Sequence, residues 1–369
     1  MQHVLQGGLS AGMSATEAFH SSKPNPVDPS FDGTAAILPA SYIPSADKTI
    51  TLRGAKKSIK APHMTWGAWP WGDKATFEFS DSERPAVKAA WEQAYAQGLN
   101  WIDTAQAYGS GESERIVGEL IKDLPRDSVI IQDKWYVVPD NPTNFVHPVD
   151  APLIYLKDSL KRLGTDHIDL YLVHGHIHPA SIKNVAEGLA ACVNQGLTHT
   201  VGVANYSAKD MLEMQAALAA HGIPLALNQC EYSVLRRHPE TLGGLLTACR
   251  ENGIVFQSYS SLAQGRLTGK YSADNPPPAQ RRFSSYDMKD LEPTMRVLGD
   301  IAAKHDVGVS AVALNYNLSK GVIPTVGIRS PEQMKENAAA LGWRLSLEEM
   351  KQIDAVSVEG KTTALWQQG

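Results

Sequence analysis

Asn100–Asp123 reads NWIDTAQAYGSGESERIVGELIKD. A short β-prone run, NWIDTA, passes through a glycine-rich turn into the amphipathic run GESERIVGELIKD, so the segment reads as one strand followed at once by one helix. Repetition of such a unit forces successive strands to lie parallel, joined by right-handed crossovers. The unit does repeat. HMTWGAW precedes ERPAVKAAWEQAYAQG, VIIQDKWY precedes PLIYLKDSLKRLG, IDLYLVHG precedes SIKNVAEGLAACVNQG, and HTVGVANY precedes SAKDMLEMQAALAAHG. LALNQCEYS with ETLGGLLTACRENG, IVFQSYSSL with PTMRVLGDIAAKHDV, and VIPTVGIR with SPEQMKENAAALG bring the count to eight. Gly164, Gly196, Gly222 and Gly253 stand where helices end, as left-handed C-terminal caps do.

Eight units without a break favour closure into an α/β fold of the (β/α)8 TIM-barrel type over an open doubly wound sheet. The rival dinucleotide-binding sheet lacks its signature, since no G-x-G-x-x-G opens a helix after the first strand. Before the first unit, TITLRGAKKSIKAP reads as a hairpin turning near Gly54, expected to plug the amino-terminal mouth of the barrel. Residues 1–48, rich in Ser, Ala, Pro and Gly without sustained periodicity, read as an irregular non-barrel extension. Residues 49–369 are expected to hold the hairpin, the barrel and a C-terminal helix and tail.

The 369 residues carry a net charge of −5, which leaves no basic footprint for nucleic acid. No apolar run reaches the roughly 18 residues of a membrane span. Cys192, Cys230 and Cys249 are odd in number, with no C-x-x-C pair, and suggest neither a disulfide framework nor a thiolate zinc site. The extension has no basic segment leading an apolar core, which argues against a secretory signal, and no arginine before Arg53, which weakens an organellar transit reading. A cytoplasmic location is expected, with organellar targeting by the extension left open, as is oligomerisation.

Barrel enzymes gather their chemistry at the carboxyl ends of the strands. There NWIDTA brings Asp103, VIIQDKWY brings Lys134 and IDLYLVHG brings His174. Strand parity puts Trp101 with Asp103, Ile130 and Gln132 with Lys134, and Leu170 and Leu172 with His174, so all three polar groups can face one mouth. Each alone also suits a structural use: Asp103 as a cap, Lys134 reaching to solvent, His174 as a core histidine. Tyr108, in the loop leaving the Asp103 strand, gives the set a direction. A phenol beside a lysine cation, itself held by an aspartate, is expected to have a lowered pKa and to serve as a proton donor. His174, His176 and His178 have the alternate spacing of a metal cage on a strand, but Gly175 and Pro179 interrupt the extended backbone such a cage needs, so no metal is expected.

WIDTAQAYGSGESERIVGEL, LKDSLKRLGTDHIDLYLVH, GVANYS, NQCEYS, SYSSLAQGRLTGKY and VGIRSPEQMKENAAAL, in this order, resemble the motifs of the aldo-keto reductase superfamily. The resemblance runs over about residues 60 to 345, and GAWPWGD adds a similarity to fungal and chloroplast-type members. It implies reduction of a small-molecule aldehyde or ketone by NADPH, without metal. Tyr108 then matches the general acid, Lys134 and Asp103 the residues that tune it, and His174 the imidazole that orients the carbonyl. The same matching gives Asn205 and Gln229 to the nicotinamide carboxamide and Tyr259 to its ring. It gives Ser260, Leu262 and Gly265 to the pyrophosphate with Lys270 and Arg281 nearby, Arg329 and Ser330 to the 2′-phosphate, and Gln333, Glu336 and Asn337 to the adenine side.

The chain departs from the family pattern in carrying Ala204 before Asn205, Ser261 in place of a proline, and Gly175 where an aromatic wall is common. Trp69, Trp71, Trp135 and Tyr136 are expected to line the substrate pocket, with Gly175 leaving one side open. Two other functions are compatible with the resemblance. One is cofactor sensing by a binding protein of the potassium-channel beta-subunit kind, and the other is non-redox or biosynthetic catalysis on a larger natural product.

Overall fold

The computed structural model describes residues 41–136, 142–281, 283 and 286–360. The extension expected over 1–48 thus lies outside the described residues as far as residue 40, and so does the tail from 361. Residues 41–48 lie against the barrel, where Gly342 donates its backbone N–H to Pro44 (2.8 Å) and Arg344 donates to the Tyr42 carbonyl (3.0 Å).

β1 (Thr49–Leu52) and β2 (Ile59–Pro62) form the antiparallel hairpin. β3 (Thr65–Gly67), β4 (Trp101–Asp103), β5 (Ile130–Trp135), β6 (Ile168–Val173), β7 (Thr198–Ala204), β8 (Leu225–Glu231), β9 (Val255–Tyr259) and β10 (Ile323–Gly327) close into one parallel barrel, β10 pairing with β3. Helices connect the strands, as the alternation of strand and helix requires. Gly164, Gly196, Gly222 and Gly253 have φ between 62 and 75°, the left-handed conformation that ends these helices. Gly202 has a different reason to be glycine. A Cβ there would come within 2.4 Å of the Leu172 side chain and 2.8 Å of the Leu227 carbonyl, where the β7–β8 register shifts.

Two helices, Glu292–His305 and Val309–Ser319, link β9 to β10. The sequence reading found only the first. Every residue from Ser310 to Ser319 is buried, so the second helix has no polar face and shows no amphipathic periodicity.

The barrel interior has three levels. At the amino-terminal end Leu52, Ile59 and Ala61 of the hairpin pack on Trp101, Ile130 and Leu170, closing that mouth with apolar surface. Above them lies a buried amide layer. Gln257 accepts from Gln132 (2.8 Å) and Gln229 (2.7 Å) and donates to the Thr65 hydroxyl (2.9 Å). The ionisable residues lie above that, at the carboxyl ends of the strands. Among the described residues no helix is long and apolar enough to cross a membrane.

Candidate active site

Asp103 ends β4, and the chain turns through Tyr108–Gly111 into the helix Glu112–Ile121. That turn folds Tyr108 back over the strand ends. Lys134, fully buried near the end of β5, reaches Asp103 Oδ1 at 2.7 Å, the Thr104 carbonyl at 2.8 Å and the Tyr108 hydroxyl at 3.0 Å. The ring of His174, directly after β6, stands edge-on to that of Tyr108 with centroids 5.7 Å apart. The three residues expected from strand parity, and Tyr108 from the loop, are thus brought together.

Burial disfavours the Lys134 cation, but Asp103 and Tyr108 outweigh that cost and hold its pKa above the usual value. Burial pushes the Asp103 carboxyl up against the opposing pull of Lys134. Tyr108 corrects an expectation. Lys134 does lower its pKa, but burial is the larger effect and the phenol is pushed up to about 12. The hydroxyl therefore carries its proton at neutral pH. Burial, then the Lys134 charge, takes His174 well below the ordinary histidine value, leaving a neutral imidazole.

A cavity of about 840 Å³ opens above these groups. Its wall at this end is aromatic. Trp69 lies parallel to Tyr108 (5.7 Å between centroids) and edge-on to Phe77 (5.2 Å) and Phe283 (5.8 Å), while Tyr136 meets His174 at 6.1 Å. From there the cavity runs past Asn205, Gln229 and Tyr259, along Ser260, Leu262, Gly265, Lys270 and Arg281, to Arg329, Gln333, Glu336 and Asn337. Asn205, Ser260, Ala263 and Gln264 have φ between 48 and 62°, so unusual backbone collects along this rim. Tyr259 donates its hydroxyl to Asn205 Oδ1 (2.9 Å). Ser261, in place of a proline, bonds the Ser258 hydroxyl (2.8 Å) and donates to the Thr325 carbonyl (3.2 Å), tying β9 to β10.

Three pocket expectations fail. Trp135 follows Lys134 directly, so it points to the outer face of the barrel, where its indole donates to Asn144 (3.0 Å). Trp71, in the loop after β3, is also buried and donates to the Ile328 carbonyl (2.6 Å) just after β10. Gly175 is buried without lining the cavity, so the gap expected there does not open. Ser330 does not line it either; its hydroxyl accepts from Gln333 N and caps the helix Pro331–Ala338. Of the three histidines only His174 joins the cavity, while His178 bonds Tyr206 (3.0 Å) and stacks on Trp135. No group of three or more metal-ligating side chains occurs among the described residues.

Phe77, Phe283, Gln257 and Glu83 were missed. Parity of IVFQSYSSL would have put Gln257 inward with Tyr259. Glu83 closes a helical turn, Asp81–Glu83, whose Ser80-x-x-Glu83 spacing marks a cap and not a pocket, and Phe77 and Phe283 sit in loops, where no period applies.

The Aldo/keto reductase family profile matches residues 63–358. The chain is 31% identical to the chloroplastic pyridoxal reductase of Arabidopsis thaliana over 80% of this chain and 83% of that protein. It is also 31% identical to the NADH-specific methylglyoxal reductase of Escherichia coli, over 78% and 92% respectively. An aldo/keto reductase of Klebsiella pneumoniae, solved with NADP and acetate, superposes with a TM-score of 0.67 at 25% identity, covering 86% of this chain and 99% of that one.

Proposed function

The chain belongs to the aldo/keto reductase family, and on that premise we propose that it reduces an aldehyde or ketone to the alcohol with NADPH, Tyr108 giving the proton. The observation that carries this reading is the position of Lys134 Nζ, bonded to the Tyr108 hydroxyl at 3.0 Å and to Asp103 at 2.7 Å on the floor of the cavity.

The donor set suits the cofactor. Amide side chains, Asn205 and Gln229, stand near the reacting end, and three cations, Lys270, Arg281 and Arg329, stand farther along the same cavity. Asn205 and Gln229 would hold the carboxamide, Tyr259 the ring, and the backbone at Ser260, Leu262 and Gly265 the pyrophosphate. Arg329 would meet the 2′-phosphate, and Gln333, Glu336 and Asn337 the adenine side. When bound, the reduced nicotinamide supplies a hydride to the carbonyl carbon.

The protein's own part is protonic and electrostatic. The neutral imidazole of His174 donates to the carbonyl oxygen and fixes its position. Tyr108 then passes its proton to that oxygen as negative charge develops, and Lys134, charged and held by Asp103, stabilises the phenolate left behind. An alkoxide is far more basic than even a phenolate of pKa about 12, so the transfer runs downhill. Trp69, Phe77, Tyr136 and Phe283 keep water from the reacting end. The aromatic wall favours a flat carbonyl compound. The relatives named for pyridoxal and methylglyoxal reduction are consistent with an aldehyde.

Mixing the purified protein with NADPH and a panel of aromatic and aliphatic aldehydes and ketones tests the proposal. Substrate-dependent loss of NADPH absorbance with one alcohol formed per cofactor consumed is expected. No oxidation across the panel, despite measurable cofactor binding, would leave the cofactor-sensing reading in its place.

A further inference from the structure

We infer that Glu83 is a positioning residue for cofactor choice: it pre-pairs Arg329 and so holds down the preference for a 2′-phosphorylated nicotinamide cofactor over its unphosphorylated counterpart. This rests on the assignment of Arg329 to the 2′-phosphate.

Arg329 lines the far end of the cavity, immediately before the helix Pro331–Ala338, but its guanidinium is already engaged. Nε donates to Glu83 Oε2 at 2.7 Å, Nη2 pairs with the same oxygen, and Nη1 donates to the Phe77 carbonyl at 3.0 Å. A guanidinium has five N–H donors, so these contacts leave two for a phosphate. The formal charge offered to an arriving anion also changes, because cation and carboxylate together sum to zero.

Glu83 is itself held in place. Its Oε1 accepts the Ser80 backbone N–H (3.0 Å), closing a capping box ahead of the helix Arg84–Ala96. The carboxylate therefore cannot swing aside without losing a cap. The neighbouring polar groups are also occupied from within. Gln333 accepts from Arg329 N (2.8 Å), and the Ser330 hydroxyl accepts from Gln333 N.

A carboxylate beside an arginine has two opposed effects on a phosphate. It fixes the side chain, which saves ordering entropy, and it repels the second anion while sharing the first one's donors. Here the Phe77 carbonyl and the packing of the loop already restrain Arg329, so the carboxylate adds little orientation. Both side chains are about a quarter exposed, where water screens like-charge repulsion only in part. Repulsion and donor competition therefore prevail. A cofactor with a bare ribose hydroxyl escapes both, so the effect falls on selectivity rather than on binding as a whole.

Glu83→Gln can keep its one oxygen on the Ser80 cap, and then removes both the charge and the oxygen that accepts from Arg329. NADPH and NADH are titrated into the full-length wild type, Glu83→Gln and Arg329→Ala, following tryptophan fluorescence, with thermal melting to confirm that each variant is folded. Glu83→Gln should tighten NADPH by about three- to tenfold, the order expected for a partly exposed charge pair, while moving NADH by less than about twofold. Arg329→Ala should weaken NADPH more than NADH. If Arg329→Ala behaves so but Glu83→Gln leaves the NADPH to NADH ratio unchanged or lowers it, the inference about Glu83 is wrong and the Arg329 assignment stands. Equal losses of both cofactors in Arg329→Ala would remove the assignment and the inference together.

Discussion

The two ends of the barrel are built on the same strands and have opposite chemistry. At the amino-terminal end Trp101, Ile130 and Leu170 meet the hairpin residues Leu52, Ile59 and Ala61 in a closed apolar layer. At the other end β4 and β5 and the residue after β6 present Asp103, Lys134 and His174 to a cavity of about 840 Å³. Two residues along a strand, roughly 6.6 Å, separate Trp101 from Asp103. Burial alone stabilises the lower layer. The upper layer buries a carboxylate and an ammonium, which is costly unless they satisfy each other. The amides of Gln132, Gln229 and Gln257 stand between the two, bonded to one another, and those of Gln132 and Gln229 also reach the Asp103 carboxylate above. One end thus sustains the fold while the other carries groups the fold would be more stable without.

Substitutions at the two ends should accordingly fail in different ways. The largest effect is expected for Tyr108→Phe, where kcat should fall by about 10²- to 10⁴-fold, the range for loss of a general acid. Its cofactor affinity and melting temperature should stay near wild type. Steady-state assays with a fluorescence titration check this, and turnover within tenfold of wild type would strip Tyr108 of its role. Leu170→Ala should do the reverse. The fully buried leucine leaves a cavity costing about 2–5 kcal/mol of stability, measured by urea unfolding, with kcat retained in the folded fraction. Loss of kcat without loss of stability would erase the distinction between the ends. Gln257→Leu belongs to both, because it leaves Gln132 and Gln229 without their shared partner. A cost of about 1–3 kcal/mol, with a weaker cofactor affinity through Gln229, is expected. Stability lost with cofactor binding untouched would mean that the amide layer serves only the fold.

The same contrast explains what the sequence made legible. Strand parity put Asp103, Lys134 and His174 on one face, because a strand has a fixed period and these residues lie near strand ends. The rule applied to Trp135 would have turned it outward; position near the mouth alone does not give a side chain's direction. Trp71 and the unopened gap at Gly175 lie in loops, where direction follows from contacts far along the chain, such as that of Trp71 with Ile328. The pairing of Glu83 with Arg329, 246 positions apart, could not be read from either segment alone. The helix Val309–Ser319 escaped because complete burial removes the polar face by which helices are recognised. The net rise of the Tyr108 pKa was hidden for a related reason: the Lys134 partner was visible in the sequence, but the depth of burial that outweighs it was not.

The smallest effect concerns His174 and separates the ends by pH. Its folded pKa lies well below 6.5, through burial and then the Lys134 charge, whereas in the unfolded chain it titrates near 6.5. Below that pH the unfolded chain takes up a proton that the folded protein refuses. Stability should therefore be intact above about pH 6.5 and fall as the pH drops, by up to about 1.4 kcal/mol per unit from this residue, until the folded pKa is reached. His63, His178, His199 and His238 are also shifted down, so the wild-type slope contains their contributions as well. Subtracting urea-unfolding curves of His174→Gln from wild type between pH 7.5 and 5, about the window set by the ordinary histidine pKa, isolates one of them. The variant should lose less stability on acidification. Parallel curves would mean that the imidazole titrates normally in the folded state, and that the upper end of the barrel is wetter than its packing suggests.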